Sequence, residues 1–263
     1  MNGAELSALL PAIRELATLA GDAIMAIYST DFAVTQKSDE TPLTAADMAA
    51  HHVLVDGLQR LTPALPVLSE ESAEIPFAER ATWDSYWLLD PLDGTREFVK
   101  RNGEFTVNIA LIEAGRPVLG VVQSPVTRVC YAALRGLGAH RHDPDGRGTR
   151  LACRPLGDGP PTIAGSRSHP GSRMSAFLAS VGEHRLIRVG SSLKSCLVAE
   201  GRADLYARLG PTSEWDTAAA QIIVEEAGGR ITDTRMRPLR YNTKPSLLNP
   251  HFFVAGDVSV RSV

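Results

Sequence analysis

Phe105-Thr106-Val107-Asn108-Ile109-Ala110-Leu111-Ile112-Glu113-Ala114-Gly115-Arg116-Pro117-Val118-Leu119-Gly120-Val121-Val122 is the stretch that decides the fold. Two runs rich in Val, Ile and Leu flank Ala114-Gly115-Arg116-Pro117, a turn signal. A connection this short joins only antiparallel neighbours. Tyr86-Trp87-Leu88-Leu89 upstream and Val129 to Ala133 downstream extend the pattern into an antiparallel meander. Before the meander the period is helical. Leu6, Leu9, Leu10, Ile13, Leu16, Ala17, Ala20, Ala23, Ile24 and Ile27 follow i, i+3, i+4 spacing. Pro11 is expected to mark the first turn of that helix, after a short lead-in. A second helix follows Thr44, with Met48, Val55, Leu58 and Leu61 in its apolar set.

After the meander, residues 140–161 are polar and rich in Gly and Pro, and read as a surface hairpin and a passage between subdomains. The second half mixes period two with period 3.6. Ile163–Gly165, Leu186–Val189 and Gly229–Thr232 read as strands; Ser175–Val181, Leu193–Glu200 and Asp216–Ala227 read as helices. The expected fold is α+β, a layered αβαβα sandwich, with a meander sheet in the first half and a mixed sheet with helices in the second. The expected division is a subdomain at 1–150 carrying most acidic ligands and one at 151–263 carrying the remaining contacts and Asp216.

At 263 residues and 44% hydrophobic composition the chain can bury a core without disulfides or structural metal. Its formal charge of −3 argues against a nucleic-acid polymer as partner. No apolar run reaches the ~18 residues of a membrane span. Met1-Asn2-Gly3-Ala4-Glu5 lacks the basic start of a secretion signal. Cys130, Cys153 and Cys196 are few, odd in number and scattered, which fits reduced thiols. A cytoplasmic monomer or homodimer is expected, and peripheral contact with a membrane is left open.

The chemistry concentrates in Leu88-Leu89-Asp90-Pro91-Leu92-Asp93-Gly94-Thr95-Arg96-Glu97-Phe98. An apolar strand delivers two carboxylates, three apart, into a turn. Gly94 permits close backbone approach, and the residues after it can open a helix whose free N–H groups suit a phosphate. Carboxylates beside phosphate donors suit Mg²⁺. Taken alone, the segment also reads as an Asp-rich turn. Two further acidic sites weaken that reading: Ser69-Glu70-Glu71 ends an apolar run, and Asp216 sits in Trp215-Asp216-Thr217-Ala218-Ala219-Ala220 at the start of an apolar helix.

In order and spacing, Ser69-Glu70-Glu71, Asp90-Pro91-Leu92-Asp93-Gly94-Thr95 and Trp215-Asp216-Thr217-Ala218-Ala219 resemble the signatures of the lithium-sensitive, Mg²⁺-dependent sugar and nucleotide phosphatases, the inositol monophosphatase superfamily. The resemblance runs from about Leu6 to Phe253. Thr41 to Asp47, Gly165 to His169, Gly190 to Gly201 and Asp204 to Thr212 resemble its nucleotide-bisphosphate branch; inositol monophosphatases usually lack Lys194. Ala220 departs from the pattern, since many relatives carry Gly there.

The resemblance implies that Glu70, Asp90 and the Leu92 carbonyl hold one Mg²⁺, and Asp90, Asp93 and Asp216 a second; some relatives bind a third near Glu70. Glu71 would orient Glu70 or a water. Li⁺ would inhibit. Asp47 and Thr95 would be the catalytic, water-activating pair, although Thr44-Ala45-Ala46-Asp47 also reads as a variant capping box. Substrate binding would fall to Glu70, Leu92, Asp93, Gly94, Thr95, His169, Ser191, Lys194, Arg208 and Asp216. Tyr206 and Arg208, two apart on a strand, share a face. Lys194 and Arg208 would take a second phosphate. The implied reaction removes the 3′-phosphate of adenosine 3′,5′-bisphosphate, and of its sulfated relative, yielding AMP in the first case. It would clear a by-product of sulfate activation. The alternative is an inositol or fructose bisphosphate phosphatase of the same fold. A non-catalytic nucleotide sensor is disfavoured, because every metal ligand and Thr95 are present.

Overall fold

A computed structural model describes residues 1–30, 42–155, 157, 159–167 and 172–256. Two helices lead: α1 (Gly3–Tyr28) and α2 (Pro42–Leu61). Then come β1 (Val67–Ser69), α3 (Phe77–Arg80), β2 (Ser85–Asp93) and α4 (Thr95–Val99). The meander continues as β3 (Thr106–Glu113), β4 (Arg116–Gln123), β5 (Cys130–Leu134), β6 (Gly138–His142) and β7 (Gly148–Arg150). The remainder is β8 (Thr162–Ser166), α5 (Ser172–Val181), β9 (Arg185–Val189), α6 (Leu193–Ala199), β10 (Leu205–Arg208), α7 (Ala218–Glu226), β11 (Arg230–Asp233) and β12 (Phe252–Ala255).

Seven strands form the first sheet in sequence order, β1 to β7. β1 runs parallel to β2 and every later pair is antiparallel. The second sheet has the order β11-β12-β10-β8-β9. β8 lies parallel to β9 and β10, whereas β12 is antiparallel to β10 and β11, so this sheet is mixed. Alternation along β2 splits its side chains between two cores. Trp87 and Leu89 pack with Ile13, Ile24, Leu54 and Leu58 of α1 and α2. Leu88 packs with Val198 of α6, Ile223 of α7 and Phe252 of β12. The helices α6 and α7 thus lie between the two sheets, and Phe177 of α5 meets Phe253 on the outer side of the second sheet, 5.6 Å between ring centroids. The layers are αβαβα, as the periodicities suggest.

Three local expectations are corrected. Pro11 lies inside α1, which starts eight residues earlier. Pro11 and Ser7 are both exposed, so water can take the carbonyl that loses its i+4 donor. The buried stripe of α2 is Ala46, Asp47, Ala50, Leu54, Gly57 and Leu58; Leu61 is exposed, and Met48 and Val55 are half-buried. Asp216 ends a 3₁₀ turn, Glu214–Asp216, and Thr217 rather than Asp216 caps α7. β12, a short run of strand formers, is an interior strand of the second sheet, between β11 and β10.

Candidate active site

The two aspartates of β2 reach one face through a bulge. Asp90 pairs with Asn108 and Asp93 pairs with Thr106, so three residue steps on β2 oppose two on β3. Thr106 and Asn108 are two apart and face the same way; their partners Asp90 and Asp93 therefore do too, which a regular strand would forbid. Pro91 sits in the extra step, where its missing donor is least costly. The Leu92 N–H donates to Asp90 Oδ1 at 3.1 Å, while Asp90 Oδ2 is buried and without a hydrogen-bond partner. Gly94 ends the segment at φ +97°. A Cβ there would stand 3.1 Å from the Glu104 carbonyl and 3.2 Å from Ser191 Cβ, so both conformation and space call for glycine.

Asp93 is gripped on one oxygen. Its Oδ2 accepts from Ser191 Oγ at 2.8 Å, Ser192 N at 2.7 Å and Ser192 Oγ at 2.7 Å. Asn108 Nδ2 donates to Ser192 Oγ at 2.9 Å, and Thr106 Oγ1 bonds Asn108 Oδ1 and Ser191 Oγ. Thr106 and Asn108 have no role in the sequence-based expectations; their signal is two polar residues at i, i+2 on one face of an otherwise apolar strand.

Glu70 follows β1 in the 3₁₀ turn Glu70–Ser72, and Asp216 closes the turn before α7 with its Oδ2 accepting from Ser213 N at 2.8 Å. Carboxylate oxygens of Glu70, Asp90 and Asp216 lie within 4.8 Å of one another. Asp93 stands outside that tight group but acts on its charge. Asp216 is pushed up to about 6 by burial and by Asp93. Glu70 is pushed up to about 7 by desolvation at the cluster and by Asp216, Glu71 and Asp93. Asp90 is held well above the usual carboxylate range by burial and then by Asp93, Glu70 and Asp216. Crowded acids with an orphaned buried oxygen are what a divalent cation neutralises, and an all-oxygen donor set suits Mg²⁺. The residues present fit such an ion.

Asp47 belongs to the second turn of α2, which starts at Pro42. Thr44 is therefore inside the helix and is not its N-cap, and the capping-box reading of Thr44 and Asp47 falls away. The carboxyl is buried, its Oδ1 has no hydrogen-bond partner, and burial followed by the charges of Glu71 and Glu70 pushes it up to about 8. Glu71 thus faces Asp47.

Asp93, Gly94, Thr95, Ser191, Lys194, Arg208 and Asp216 line one cleft of about 370 Å³. Glu70, Asp90 and Asp47 flank it without lining it. Leu92 is buried, and its side chain packs towards α1 and α2. Lys194, in the first turn of α6, is buried; its Nζ donates to the Ser191 carbonyl at 2.5 Å and lies 5.4 Å from the centroid of the Tyr206 ring. Burial pushes its ammonium below the usual value, with Asp93 acting the other way and Arg208 adding to the fall. Arg208 Nη2 donates to the Pro211 carbonyl at 2.9 Å, while its Nε is buried without a partner. Tyr206, Arg208, Arg96 and Ser166 also line an adjoining cavity of about 420 Å³. His169 lies outside the described residues. Ala220 is buried among the α7 core residues.

No described helix is long and apolar enough to cross a membrane. The inositol monophosphatase family profile matches residues 5–255. The 3′(2′),5′-bisphosphate nucleotidase CysQ of Escherichia coli (strain K12) is 48% identical over 249 residues, covering 94% of this chain and 99% of that one. The protein of the same name from Haemophilus influenzae is 38% identical over 252 residues, covering 95% and 94%. The crystal structure of CysQ from Bacteroides thetaiotaomicron superposes with a TM-score of 0.84 at 39% identity, over 94% of this chain and 97% of that one. An acidic cluster on a β-bulge, a cation-lined cleft beside it and this likeness along nearly the whole length lead to one conclusion: the chain belongs to the inositol monophosphatase family.

Proposed function

We propose that this protein is a Mg²⁺-dependent 3′(2′),5′-bisphosphate nucleotidase that hydrolyses adenosine 3′,5′-bisphosphate to AMP and phosphate, and also removes the 3′-phosphate from its sulfated relative. The observation that carries the reading is that Lys194 and Arg208 share the cleft of Asp93, Thr95 and Asp216. An inositol monophosphate needs no second cationic position, and a nucleoside bisphosphate does. The high identity to proteins named CysQ points the same way.

Bound Mg²⁺, two ions by family resemblance and a third near Glu70 in some relatives, would offset the carboxylate charge and the charge developing on the transferring phosphoryl group. Glu70, Asp90 and the Leu92 carbonyl are the proposed ligands of one ion, and Asp90, Asp93 and Asp216 of the other. The chain's own residues do the rest. Ser191 and Ser192 fix Asp93. Gly94 and Thr95 offer backbone N–H groups to the scissile phosphate. Thr95 orients the attacking water through its hydroxyl, and Asp47 orients Thr95. Lys194 and Arg208 hold the 5′-phosphate, and His169 contacts the nucleotide. Li⁺ inhibits by competing at the cation sites.

Phosphate release from adenosine 3′,5′-bisphosphate, its sulfated relative, inositol 1-phosphate and fructose 1,6-bisphosphate, each with Mg²⁺, tests the reading. The nucleotide substrates should give the highest kcat/KM. A preference for either sugar phosphate would replace the nucleotidase by the sugar-phosphatase alternative.

A further inference from the structure

One ion pair ties the two halves of the cleft together. Glu104 stands between α4 and β3 in the first half, and Arg167 directly follows β8 in the second. Arg167 Nε donates to Glu104 Oε2 at 2.7 Å and its Nη2 to Glu104 Oε1 at 2.6 Å, a bidentate fork. The same Nη2 donates to the Arg188 carbonyl at 2.8 Å, pinning the end of β8 to β9. Glu104 Oε2 also accepts from Gly190 N at 2.9 Å. Gly190 precedes Ser191 and Ser192, which hold Asp93.

The backbone of Glu104 is equally engaged. A Cβ on Gly190 would fall 2.7 Å from the Glu104 carbonyl and 2.5 Å from Glu97 Cγ, and a Cβ on Gly94 would fall 3.1 Å from that carbonyl. Glu104 therefore touches the Gly94 turn, the Gly190 turn and the exit of β8. Its side chain is about one-fifth exposed against nearly half for Arg167, so the fork is partly shielded from solvent. Ser166, next to Arg167, lines both the catalytic cleft and the adjoining cavity.

We infer that Glu104 and Arg167 are a positioning pair for substrate specificity: the ion pair fixes the Ser166 wall that receives the nucleotide, and the Glu104–Gly190 bond fixes the turn that grips Asp93. Neither residue touches the reacting atoms. The two contacts separate by kinetics. Losing Arg167 loosens only the nucleotide wall, whereas losing Glu104 loosens that wall and the Asp93 grip.

The inference rests on the nucleotidase reading, and the test separates the two. Wild type, R167A, R167K, E104A and the double variant are compared for kcat and KM on adenosine 3′,5′-bisphosphate with Mg²⁺, for AMP affinity by calorimetry, and for melting temperature. R167A should raise KM and weaken AMP binding roughly tenfold, as expected for a charge-assisted contact that acts through position, with kcat within about twofold. R167K, which keeps the charge but not the fork, should recover only part of the loss. E104A should show the same KM effect and a lower kcat, and the double variant should have no higher KM than E104A. If R167A matches wild type in KM and AMP affinity, the pair is not a specificity device. If kcat, KM and melting temperature all deteriorate together in R167A, its role is only structural. A wild-type enzyme that leaves the bisphosphate intact would defeat the nucleotidase reading and the inference built on it.

Discussion

The first half of the chain brings Asp47, Glu70, Asp90 and Asp93 to the site; the second brings Lys194, Arg208 and a single acid, Asp216. The acids are placed by backbone. A bulge aims Asp90 and Asp93, and main-chain N–H groups of Ser192 and Ser213 fix Asp93 and Asp216. Burial, and after it the neighbouring carboxylates, raises the pKa values of Asp47, Glu70, Asp90 and Asp216, so ionising this wall without a cation is costly. The cations are placed by reach. Lys194 and Arg208 lean on backbone carbonyls and, for Lys194, the Tyr206 ring, and both line the cleft. The contrast separates two jobs. In the proposed reaction the acidic wall serves any phosphate ester that enters, and the cationic wall selects which one does.

The largest effect should come from the acidic wall. Asp90→Asn or Asp93→Asn removes a charged ligand, and kcat should fall ~10³-fold or more, since a metal clamp supplies several kcal/mol. Near-normal turnover of both variants at saturating Mg²⁺ would dissolve the contrast. Asp90→Asn also removes a buried carboxyl whose ionised form the fold disfavours, so the metal-free variant should melt higher than metal-free wild type at pH 8.

Next in size is Thr95→Ala, which leaves ligands and cations in place. Loss of water orientation should cost ~10²-fold in kcat, the lower end of general-base assistance. Steady-state rates across pH would check this; an unchanged kcat and profile would remove Asp47 and Thr95 from the chemistry.

The third effect is on stability. A carboxyl whose folded-state pKa is raised favours folding while it is protonated. That contribution is complete below the ordinary value near 4 and is lost as pH climbs to about 6 for Asp216 and about 8 for Asp47. Between pH 5 and pH 8 the melting temperature in EDTA should fall by ~5 °C. Saturating Mg²⁺ should cancel most of that fall. A flat melting temperature in EDTA would mean that the acids are not under strain.

The two walls were unequally legible in the sequence. Asp90, Asp93 and Glu70 stand out as acids ending apolar runs and Asp216 as an acid opening one, and the meander follows from period two and short turns. The bulge is hidden, because it depends on the register of β2 against β3; Pro91 is its only trace. Thr106 and Asn108 do not stand out in the sequence, because a buried polar network is recognisable only once its members face each other. Pro11 misled because propensity penalises a helical proline, while an exposed helix face tolerates it. Taken alone, Lys194 and Arg208 also read as a solvated lysine and a surface ion pair until β10 and α6 bring them to one cleft; in the sequence, hydroxyl donors and a helix start beside Lys194, together with the family resemblance, single them out.

On the proposed reading, the cationic wall selects the substrate without taking part in bond cleavage. The most direct measurement is the ratio of kcat/KM on adenosine 3′,5′-bisphosphate to that on inositol 1-phosphate, for wild type, Lys194→Ala and Arg208→Ala. A charge-assisted contact of ~1.5–3 kcal/mol predicts a loss of roughly 10–150-fold on the bisphosphate, mostly in KM, with little change on the monophosphate. A ratio that stays constant while both activities fall together would contradict the claim and make Lys194 and Arg208 parts of the scaffold.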